Sequence, residues 1–273
     1  MSGATLKHGS ALIAGVLNVT PDSFSDGGDF STPKKALARA LKMEQDGADI
    51  IDVGGESSRP GAKAIPVKTE IWRVLPVIEA IRKKSRVPIS IDTKNPLTAR
   101  TAILAGADMI NDITGFTNPA LVKVAAKYNV PVVVMHMRGT PKTMQNKPRY
   151  RDVVKEVAGY LASRAKFLRK NGVEKIIIDP GIGFGKTLAH NLAIFIGLEH
   201  IVKLGFPVMI GASRKRFIKD VTGADVNHRL GGSISAHVYC ALKGAAIIRV
   251  HDVAEHHQAL KILEAIKKTG IHK

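Results

Sequence analysis

The sequence predicts a (β/α)8 barrel, in which eight parallel strands close into a barrel inside a ring of helices. Apolar strand-like runs alternate with amphipathic helix patterns along the whole chain, and there are eight of each. The length of 273 residues is close to the usual size of such a barrel, about 250 residues. Because no low-complexity or Pro/Ser-rich segment divides the chain, we expect a single domain over residues 1–273.

The predicted strands are short runs rich in Val and Ile, which is typical of strands buried on both faces of a parallel sheet. They lie at residues 11–19, 48–54, 88–93, 108–113, 130–136, 175–179, 207–212 and 246–252. An open doubly wound sheet is the alternative, but its dinucleotide-binding form requires a glycine fingerprint after the first strand. Residues 18–28 (NVTPDSFSDGG) do not match that fingerprint, so the barrel is favoured.

The predicted helices lie between these strands and carry suitable end signals. They span residues 33–46, 67–85, 96–105, 119–128, 151–171, 188–204, 228–243 and 253–268. Four glycines stand where a left-handed C-cap is expected, namely Gly47, Gly106, Gly172 and Gly205. Asn118-Pro119 is typical of an N-cap followed by proline at the first helical position.

Residues 175–187 (KIIIDPGIGFGKT) join a strand to a glycine-rich turn and nearly match two phosphate-binding motifs. A Walker A motif requires glycine at position 180, which is proline here. The dinucleotide fingerprint requires glycine where Lys186 stands. We therefore predict a strand that ends in the Asp179 carboxylate beside a pliable backbone, and not a nucleotide-binding loop.

The net charge of +18 comes from 41 Lys and Arg against 23 Asp and Glu. A nucleic-acid binder is one interpretation of such a charge. However, the basic residues are spread along helix patterns without interleaved aromatic residues, which favours a basic solvated surface that attracts anionic small molecules. Loop 137–150 carries basic but no acidic residues, so it is either a solvated loop or a segment that gathers a phosphorylated substrate.

Cysteine content and hydropathy indicate the compartment. The single cysteine, Cys240, cannot form an internal disulfide and is expected in the core on a helix, as in a protein of a reducing compartment. No apolar run approaches the roughly 20 residues of a membrane span. We therefore expect a cytoplasmic protein without membrane or nucleic-acid partners.

Polar side chains stand at the carboxyl ends of all eight predicted strands, where barrel enzymes assemble their active sites. In chain order they are Asn18, Asp52 with Glu56, Asp92, Asn111, His136, Asp179, Ser213 with Lys215, and Arg249 with His251. We expect these side chains to converge on one mouth of the barrel and to form a binding site.

One part of this site suits a flat heterocycle rich in N–H groups. Its acceptors and donors are Asp92, Asn111, Asp179 and Lys215.

A second part suits an anion, because Asn18, Arg249 and His251 can neutralise or hydrogen-bond phosphate oxygens. The loops at residues 20–32 and 55–66 exceed the usual length of about 2–6 residues for such connections, and loops of this kind often act as lids.

Other chemistries lack the necessary patterns. The histidines show no metal-binding helical spacing, and His256-His257 in a helix pattern is expected at the surface. Ser213 lacks the Gly-x-Ser-x-Gly context of a serine nucleophile. Cys240 lies away from every strand end, which argues against a thiol nucleophile.

Over almost its whole length the chain resembles the dihydropteroate synthase family. The matching blocks are residues 15–28 (GVLNVTPDSFSDGG), 52–61 (DVGGESSRPG), 90–93 (SIDT), 111–113 (NDI), 135–141 (MHMRGTP), 179–185 (DPGIGFG), 213–215 (SRK) and 249–251 (RVH). The first and sixth blocks are highly specific. The resemblance implies a barrel transferase, a homodimer and sulfonamide target, that condenses 6-hydroxymethyl-7,8-dihydropterin pyrophosphate with p-aminobenzoate and releases pyrophosphate.

The resemblance also implies residue roles. The pterin site would contain Asp92, Asn111, Ile113, Met135, Asp179, Gly183, Phe184 and Lys215. The pyrophosphate site would contain Asn18, Arg59, Arg249 and His251, and Asn18 would help to hold Mg2+. The p-aminobenzoate site would contain Phe24, Ser58, Arg59, Pro60, Phe184 and Ser213. Asp92, Lys215, Arg249 and Asn18 would carry the catalysis. The family usually has Thr where this chain has Ser58, so that subsite would keep the hydroxyl and lose a methyl contact.

This chemistry leads us to expect an ionisation-first substitution with ordered binding, in which the pterin pyrophosphate binds before p-aminobenzoate. A pterin-binding methyltransferase barrel with a corrinoid partner is the nearest alternative. It would share the pterin carboxylates but has no need of a diphosphate group, so Asn18, Arg249 and His251 count against it.

Overall fold

The computed structural model describes residues 11–20, 32–57, 61–62 and 64–269. Its strands are β1 (Leu12–Asn18), β2 (Ile50–Gly54), β3 (Ile89–Asp92), β4 (Met109–Asp112), β5 (Val132–Met135), β6 (Ile176–Asp179), β7 (Met209–Ile210) and β8 (Ile247–Val250). Every predicted strand is present, and each is shorter than its apolar run. The remaining residues of those runs lie in the loops on either side of the strands, and His136 and His251 are in loops that follow a strand.

The eight strands form one parallel sheet in the order β6-β5-β4-β3-β2-β1-β8-β7. A parallel bridge between Ile178 and Val208 brings the two ends of this sheet together. There the backbone N–H of Ile178 donates to the carbonyl oxygen of Pro207 at 2.9 Å. The sheet is therefore a barrel, as predicted.

Ten α-helices lie in the described part of the chain. They are α1 (Thr32–Gln45), α2 (Val67–Lys84), α3 (Pro96–Leu104), α4 (Pro119–Tyr128), α5 (Val153–Lys170), α6 (Leu188–Ile196), α7 (Leu198–Val202), α8 (Arg216–Thr222), α9 (Leu230–Leu242) and α10 (Val253–Thr269). The four predicted C-cap glycines all have positive φ angles, between 79° and 110°. The side chain of Asn118 accepts the backbone N–H of Ala120, which confirms the predicted N-cap of α4.

One helix prediction was wrong, and one helix was not predicted. The helix expected over residues 188–204 is divided at Gly197 into α6 and α7. A Cβ at Gly197 would lie 2.7 Å from Val154, so this glycine permits the close approach of α5. The seven-residue helix α8 was not predicted. It is too short to show a clear helical period, and it is anchored by the buried side chains of Phe217 and Ile218.

The core has two main layers. Between the strands and the helices lies a large aliphatic cluster, which contains the fully buried Cys240, as expected. A smaller cluster is formed by Ala14, Ile50, Met109, Val133, Met209, Ala246 and Ile247, with Leu12 and Ile177 packed against it. These residues come from strands around the barrel, so they fill its interior and form a floor below the mouth. No helix among the described residues has the length and apolar character needed to cross a membrane.

Candidate active site

Strand register brings the predicted site residues to one end of the barrel. Asp92 pairs with Gly54 on one side and with Asn111 on the other. Asp179 pairs with Met135. Because these residues lie at or next to the carboxyl ends of neighbouring parallel strands, their side chains converge on the same mouth.

A charge cluster connects β2, β3 and β8 at this mouth. Arg249 donates from Nε to Asp52 Oδ2 at 2.6 Å and from its NH2 group to Asp92 Oδ2 at 2.8 Å. The side chains of Arg249 and Asp52 are only 20% and 3% exposed, so water screens this attraction weakly. Burial opposes the charge of Arg249, but the two carboxylates raise its pKa above the ordinary value. Arg249 is therefore a fixed cation.

The Asp92 carboxyl has a strongly shifted acidity. Burial raises its pKa from 3.8 to about 7, Arg249 opposes the shift, and Asp52, Asp112 and Glu70 add to it. Near neutral pH this group therefore exists in both protonation states. A carboxyl with such a shift in a cleft is typical of a functional site.

Asp52 has a larger role than the sequence indicated. It was noted as a polar strand end but was assigned to no part of the predicted site. Its Oδ2 also accepts from Asn111 Nδ2 at 3.2 Å, so one carboxylate oxygen serves both Arg249 and Asn111. Its Oδ1 is buried and has no hydrogen-bond partner within the described residues.

The turn after β6 presents Asp179 to the site. Asp179 Oδ1 accepts the backbone N–H of Gly181 at 2.7 Å. Gly181 has a φ of +68°, and a Cβ there would lie 2.0 Å from the carbonyl oxygen of His136. Only glycine fits this turn. Burial raises the pKa of Asp179, while the Gly181 hydrogen bond and Lys215 oppose that shift.

Lys215 lies across the same turn from the loop that follows β7. Its Nζ donates to the carbonyl oxygen of Ile182 at 2.5 Å and lies 4.1 Å from the centroid of the Phe184 ring. A Cβ at Gly183 would lie 3.0 Å from its Cδ. Burial lowers the pKa of Lys215 to about 7, although Asp179 and Asp92 favour the charged form. The structure thus brings together Gly183, Phe184 and Lys215, as predicted.

An apolar wall lies beside these polar groups. Met135, Met144 and Phe184 are buried in one cluster, against which Ile113 and Met137 pack. The predicted pterin-lining residues Ile113, Met135 and Phe184 are therefore neighbours. Met144 was missed because loop 137–150 has no periodicity that would mark a core position.

Lys186 was also missed as a structural element of the site. The sequence singled it out only as a departure from nucleotide motifs, yet its side chain is buried under the turn after β6. Its Nζ donates to the carbonyl oxygens of Gly181 at 2.9 Å and Phe184 at 3.1 Å, and it lies 3.0 Å from His136 Nδ1. Burial lowers the pKa of Lys186 to about 7 and that of His136 to about 3. Lys186 therefore supports the turn from below.

The basic loop 137–150 is tied to the protein surface. Arg138 donates to Glu156 at 2.8 Å and to the backbone carbonyl of Arg149, and it lies 3.9 Å from the centroid of the Tyr150 ring. Gln145 Nε2 donates to the carbonyl oxygen of Gly183 at 3.0 Å. These contacts give the loop a role in packing against the turn after β6.

Ser213 and His251 meet between β7 and β8. Ser213 Oγ accepts the backbone N–H of His251 at 3.2 Å and lies 3.0 Å from His251 Nδ1. Next to them, Arg214 forms a two-point ion pair with Asp252, in which Nε lies 3.0 Å from Oδ2. The predicted p-aminobenzoate residue Ser213 is thus in direct contact with the predicted phosphate residue His251.

A buried hydrogen-bond network supports the loop after β3. Glu70 is fully buried and accepts from Thr93 Oγ1 at 2.7 Å, Asn95 Nδ2 at 2.6 Å and Thr98 Oγ1 at 2.7 Å. Thr93 follows Asp92 directly, so α2 fixes the loop beside that carboxyl. A cavity of about 250 Å³ opens here, lined by Glu70, Asp92 and Ile113 among others.

The remaining predicted residues are less completely described. Phe24, Ser58, Arg59 and Pro60 lie outside the described residues. Asn18 ends β1 opposite Gly54. A Cβ at Gly54 would lie 3.7 Å from Asn18 Oδ1 and 3.8 Å from Asp92 Oδ2, so both oxygens border the same small space.

Comparisons with known proteins agree on one family. The model of the family described as pterin binding enzyme matches residues 14–251. The dihydropteroate synthase of Synechocystis is 44% identical over 258 residues, which is 93% of this chain and 89% of that protein. The structure of the Xanthomonas albilineans dihydropteroate synthase with 4-aminobenzoic acid aligns with a TM-score of 0.90 and 43% identity, covering 96% of this chain and 94% of that one. The same enzyme in complex with 7,8-dihydropteroate aligns with a TM-score of 0.88 and 41% identity, covering 96% and 95%.

Proposed function

The chain belongs to the pterin-binding enzyme family, and we propose that it catalyses dihydropteroate synthesis. In this reaction 6-hydroxymethyl-7,8-dihydropterin pyrophosphate and p-aminobenzoate condense to 7,8-dihydropteroate, and pyrophosphate is released. The chain is therefore an enzyme of the transferase class. The observation that carries the proposal is the mouth of the barrel, where acceptors and cations surround an apolar wall.

The pterin ring is assigned to the space between the charge cluster and the turn after β6. Asp179 and Asn111 offer acceptors for ring N–H groups, and Lys215 offers a donor. Ile113 and Met135 supply an apolar face. Asp52 Oδ1, buried and unpaired within the described residues, is a further acceptor at the floor.

The chemical step requires stabilisation of separating charges. The bond between the pterin methylene carbon and the pyrophosphate oxygen breaks, and both electrons leave with pyrophosphate. Arg249 and His251 offset the charge of the leaving group, while the Asp92 carboxylate favours the cation delocalised into the pterin. The amino nitrogen of p-aminobenzoate then bonds to the carbon and loses a proton to water. Because an arylamine is already a nucleophile, no strong general base is required.

The Asn18 side chain suits a Mg2+ ion that the protein shares with the substrate diphosphate. Mg2+ is commonly bound by one or two protein oxygens together with substrate phosphates. Asn18 Oδ1 borders the space beside Asp92, and among the described residues no group of three or more His, Cys, Asp or Glu could hold a metal. Asn18 would hold the ion jointly with the diphosphate, and the ion would offset the charge of the leaving group.

We assign p-aminobenzoate to the side of the mouth near Phe184, whose apolar ring suits a flat aromatic carboxylate. By the family resemblance, Ser58, Arg59 and Pro60 would contribute to the same subsite. Binding is expected to be ordered, with p-aminobenzoate after the pterin pyrophosphate. Sulfonamides, which have the shape of p-aminobenzoate, are expected to compete for this subsite.

A homodimer is proposed through α6, α8 and α9. Ile196, Val221 and Leu242 on these helices are 73%, 61% and 54% exposed. Ile196→Asp should shift the sedimentation coefficient from dimer to monomer, whereas Ile262→Asp on α10, which is similarly exposed, should not. A monomeric wild type would contradict this proposal. We also propose a cytoplasmic location, in line with a single, buried and unpaired cysteine.

The test of function uses both substrates with Mg2+. Wild type should form 7,8-dihydropteroate, detected by mass spectrometry, and should bind the pterin pyrophosphate in calorimetry. Asp179→Ala should lose pterin binding with little loss of folding stability. Cys240→Ala should keep both pterin binding and dihydropteroate formation. Binding of the pterin pyrophosphate without condensation would support the pterin site and contradict the p-aminobenzoate subsite, and no binding would refute the assignment. Salt-dependent binding of random DNA would favour the nucleic-acid alternative.

A further inference from the structure

Two buried histidines lie behind Ser213 and His251. His237 of α9 is fully buried, and His256 of α10 is 1% exposed. The expectation that His256 lies at the surface was wrong, because α10 turns this side chain towards α9. His237 Nδ1 and His256 Nε2 are 3.0 Å apart.

The backbone groups at the two ends of the histidine pair determine which ring nitrogens carry a proton. At one end the backbone N–H of Ala212 donates to His237 Nε2 at 2.9 Å, so that nitrogen is an acceptor. At the other end the carbonyl oxygen of Asp252 can only accept, so His256 Nδ1, at 2.6 Å, carries a proton. A neutral His256 then has an acceptor at Nε2, and His237 Nδ1–H donates to it. Both rings are therefore neutral, with the proton on Nδ1.

The surrounding charges agree with this state. Burial lowers the pKa of His237 well below its ordinary value, and His256, Lys215 and His251 add to the effect. Burial also lowers the pKa of His256, although the Asp252 and Ser233 carbonyls and the nearby acids Asp252 and Glu255 oppose it. The carbonyl oxygen of Ile210 favours a charged His237, but burial outweighs it.

The histidine pair connects the two loops that carry the candidate anion site. Ala212 directly precedes Ser213, and Asp252 directly follows His251. Because Ser213 and His251 also contact each other, the six residues form a closed ring of hydrogen bonds and peptide bonds. We propose that His237 and His256 are positioning residues, which hold Ser213 and His251 in the geometry that binds the pyrophosphate group. This inference rests on the proposed function, which supplies the pyrophosphate.

Two variants of His237 distinguish its hydrogen bond to Ala212 from its hydrogen bond to His256. In His237→Phe both hydrogen bonds are lost. In His237→Gln the amide reaches the position of Nε2 and can still accept from Ala212. Cys240→Ala is the matched control, since Cys240 is fully buried one turn further along α9 and has no place in the ring.

The experiment measures KM for each substrate and the affinity for inorganic pyrophosphate by calorimetry. His237→Phe should raise KM for the pterin pyrophosphate and weaken pyrophosphate binding by about five- to tenfold, because the hydrogen bond from Ala212, the residue before Ser213, is lost. KM for p-aminobenzoate should rise as well, because Ser213 is also a predicted p-aminobenzoate residue. His237→Gln should recover most of the loss, and Cys240→Ala should change only thermal stability. Unchanged pyrophosphate affinity in His237→Phe, or no recovery in His237→Gln, would overturn the proposal.

Nitrogen NMR of the wild type gives a second readout that does not need activity or a variant. Both imidazoles should remain neutral Nδ1–H tautomers between about pH 6 and pH 8, although the unperturbed pKa of histidine is about 6.5. A protonated ring or an Nε2–H tautomer at either position would refute the inference. If the wild type formed no dihydropteroate, the proposed function would fail. The NMR result would still decide whether the two histidines form the neutral hydrogen-bonded pair.

Discussion

The acidity of Asp92 should depend on Asp52, although the two side chains come from different strands. Asp52 raises the pKa of Asp92, and Asp52 and Asp92 share the Arg249 guanidinium. Asp52→Asn removes one negative charge from this cluster and leaves Arg249 to pair with Asp92 alone. Both effects favour the Asp92 carboxylate, so the pKa of Asp92 should fall.

The size of the shift follows from the geometry. A neighbouring charge within about 4–6 Å changes a carboxyl pKa by about 1–3 units. Because Arg249 bridges the two carboxylates and partly neutralises Asp52, we expect the lower end, about one unit or 1.4 kcal/mol. Starting from a pKa of about 7 in the wild type, Asp92 in the variant should have a pKa of about 6.

The assay is the pH dependence of kcat/KM for the pterin pyrophosphate between about pH 5 and pH 9. Since the ionised Asp92 stabilises the cation, the wild type should show a rising limb near the Asp92 pKa of about 7. The limb should move to lower pH in Asp52→Asn. Ser90→Ala is the control, because Ser90 is buried on the same strand as Asp92 and carries no charge. An unmoved limb, or one at higher pH, would refute the reasoning.

Three further changes test the supports of the site. Lys186→Met should cost about 2–3 kcal/mol at high pH through its lost hydrogen bonds. Burial lowers the pKa of Lys186 to about 7. The free energy of unfolding of the wild type should therefore fall as the pH drops from about 10 to about 7. Denaturant unfolding should show a smaller fall in the variant. Glu70→Gln should lower stability by about 1–3 kcal/mol, measured the same way, and reduce kcat; unchanged stability would contradict the network. Gly181→Ala, with its Cβ 2.0 Å from a carbonyl oxygen, should abolish pterin binding, whereas Gly223→Ala, with positive φ but open space, should cost about 1 kcal/mol and keep activity. Similar effects in both glycine variants would refute the steric argument.

The barrel was predictable because its signals are local. Each strand is a continuous apolar run, and each helix has a period and caps that a single segment contains. The polar strand ends were also predictable, since the parallel barrel places them at one mouth. Asp92, Asp179, Lys215 and Arg249 were found in this way.

The contacts within the site were not predictable, because they join distant segments. Arg249 and Asp52 are 197 residues apart, and nothing in the sequence near either residue indicates the pair. Lys186 follows a glycine turn and could not be distinguished from an exposed helix-start lysine. His256 is buried, but its polar neighbours in the helix sequence give no sign of a buried position. In each case burial was determined by a neighbouring element that local patterns do not reveal.

Dihydropteroate synthesis is tested most directly by following pyrophosphate release from the pterin pyrophosphate and Mg2+, with and without p-aminobenzoate. Release should be faster with p-aminobenzoate, and in its presence it should equal the amount of 7,8-dihydropteroate formed. Release with p-aminobenzoate that leaves no dihydropteroate, or no release under either condition, would contradict dihydropteroate synthesis.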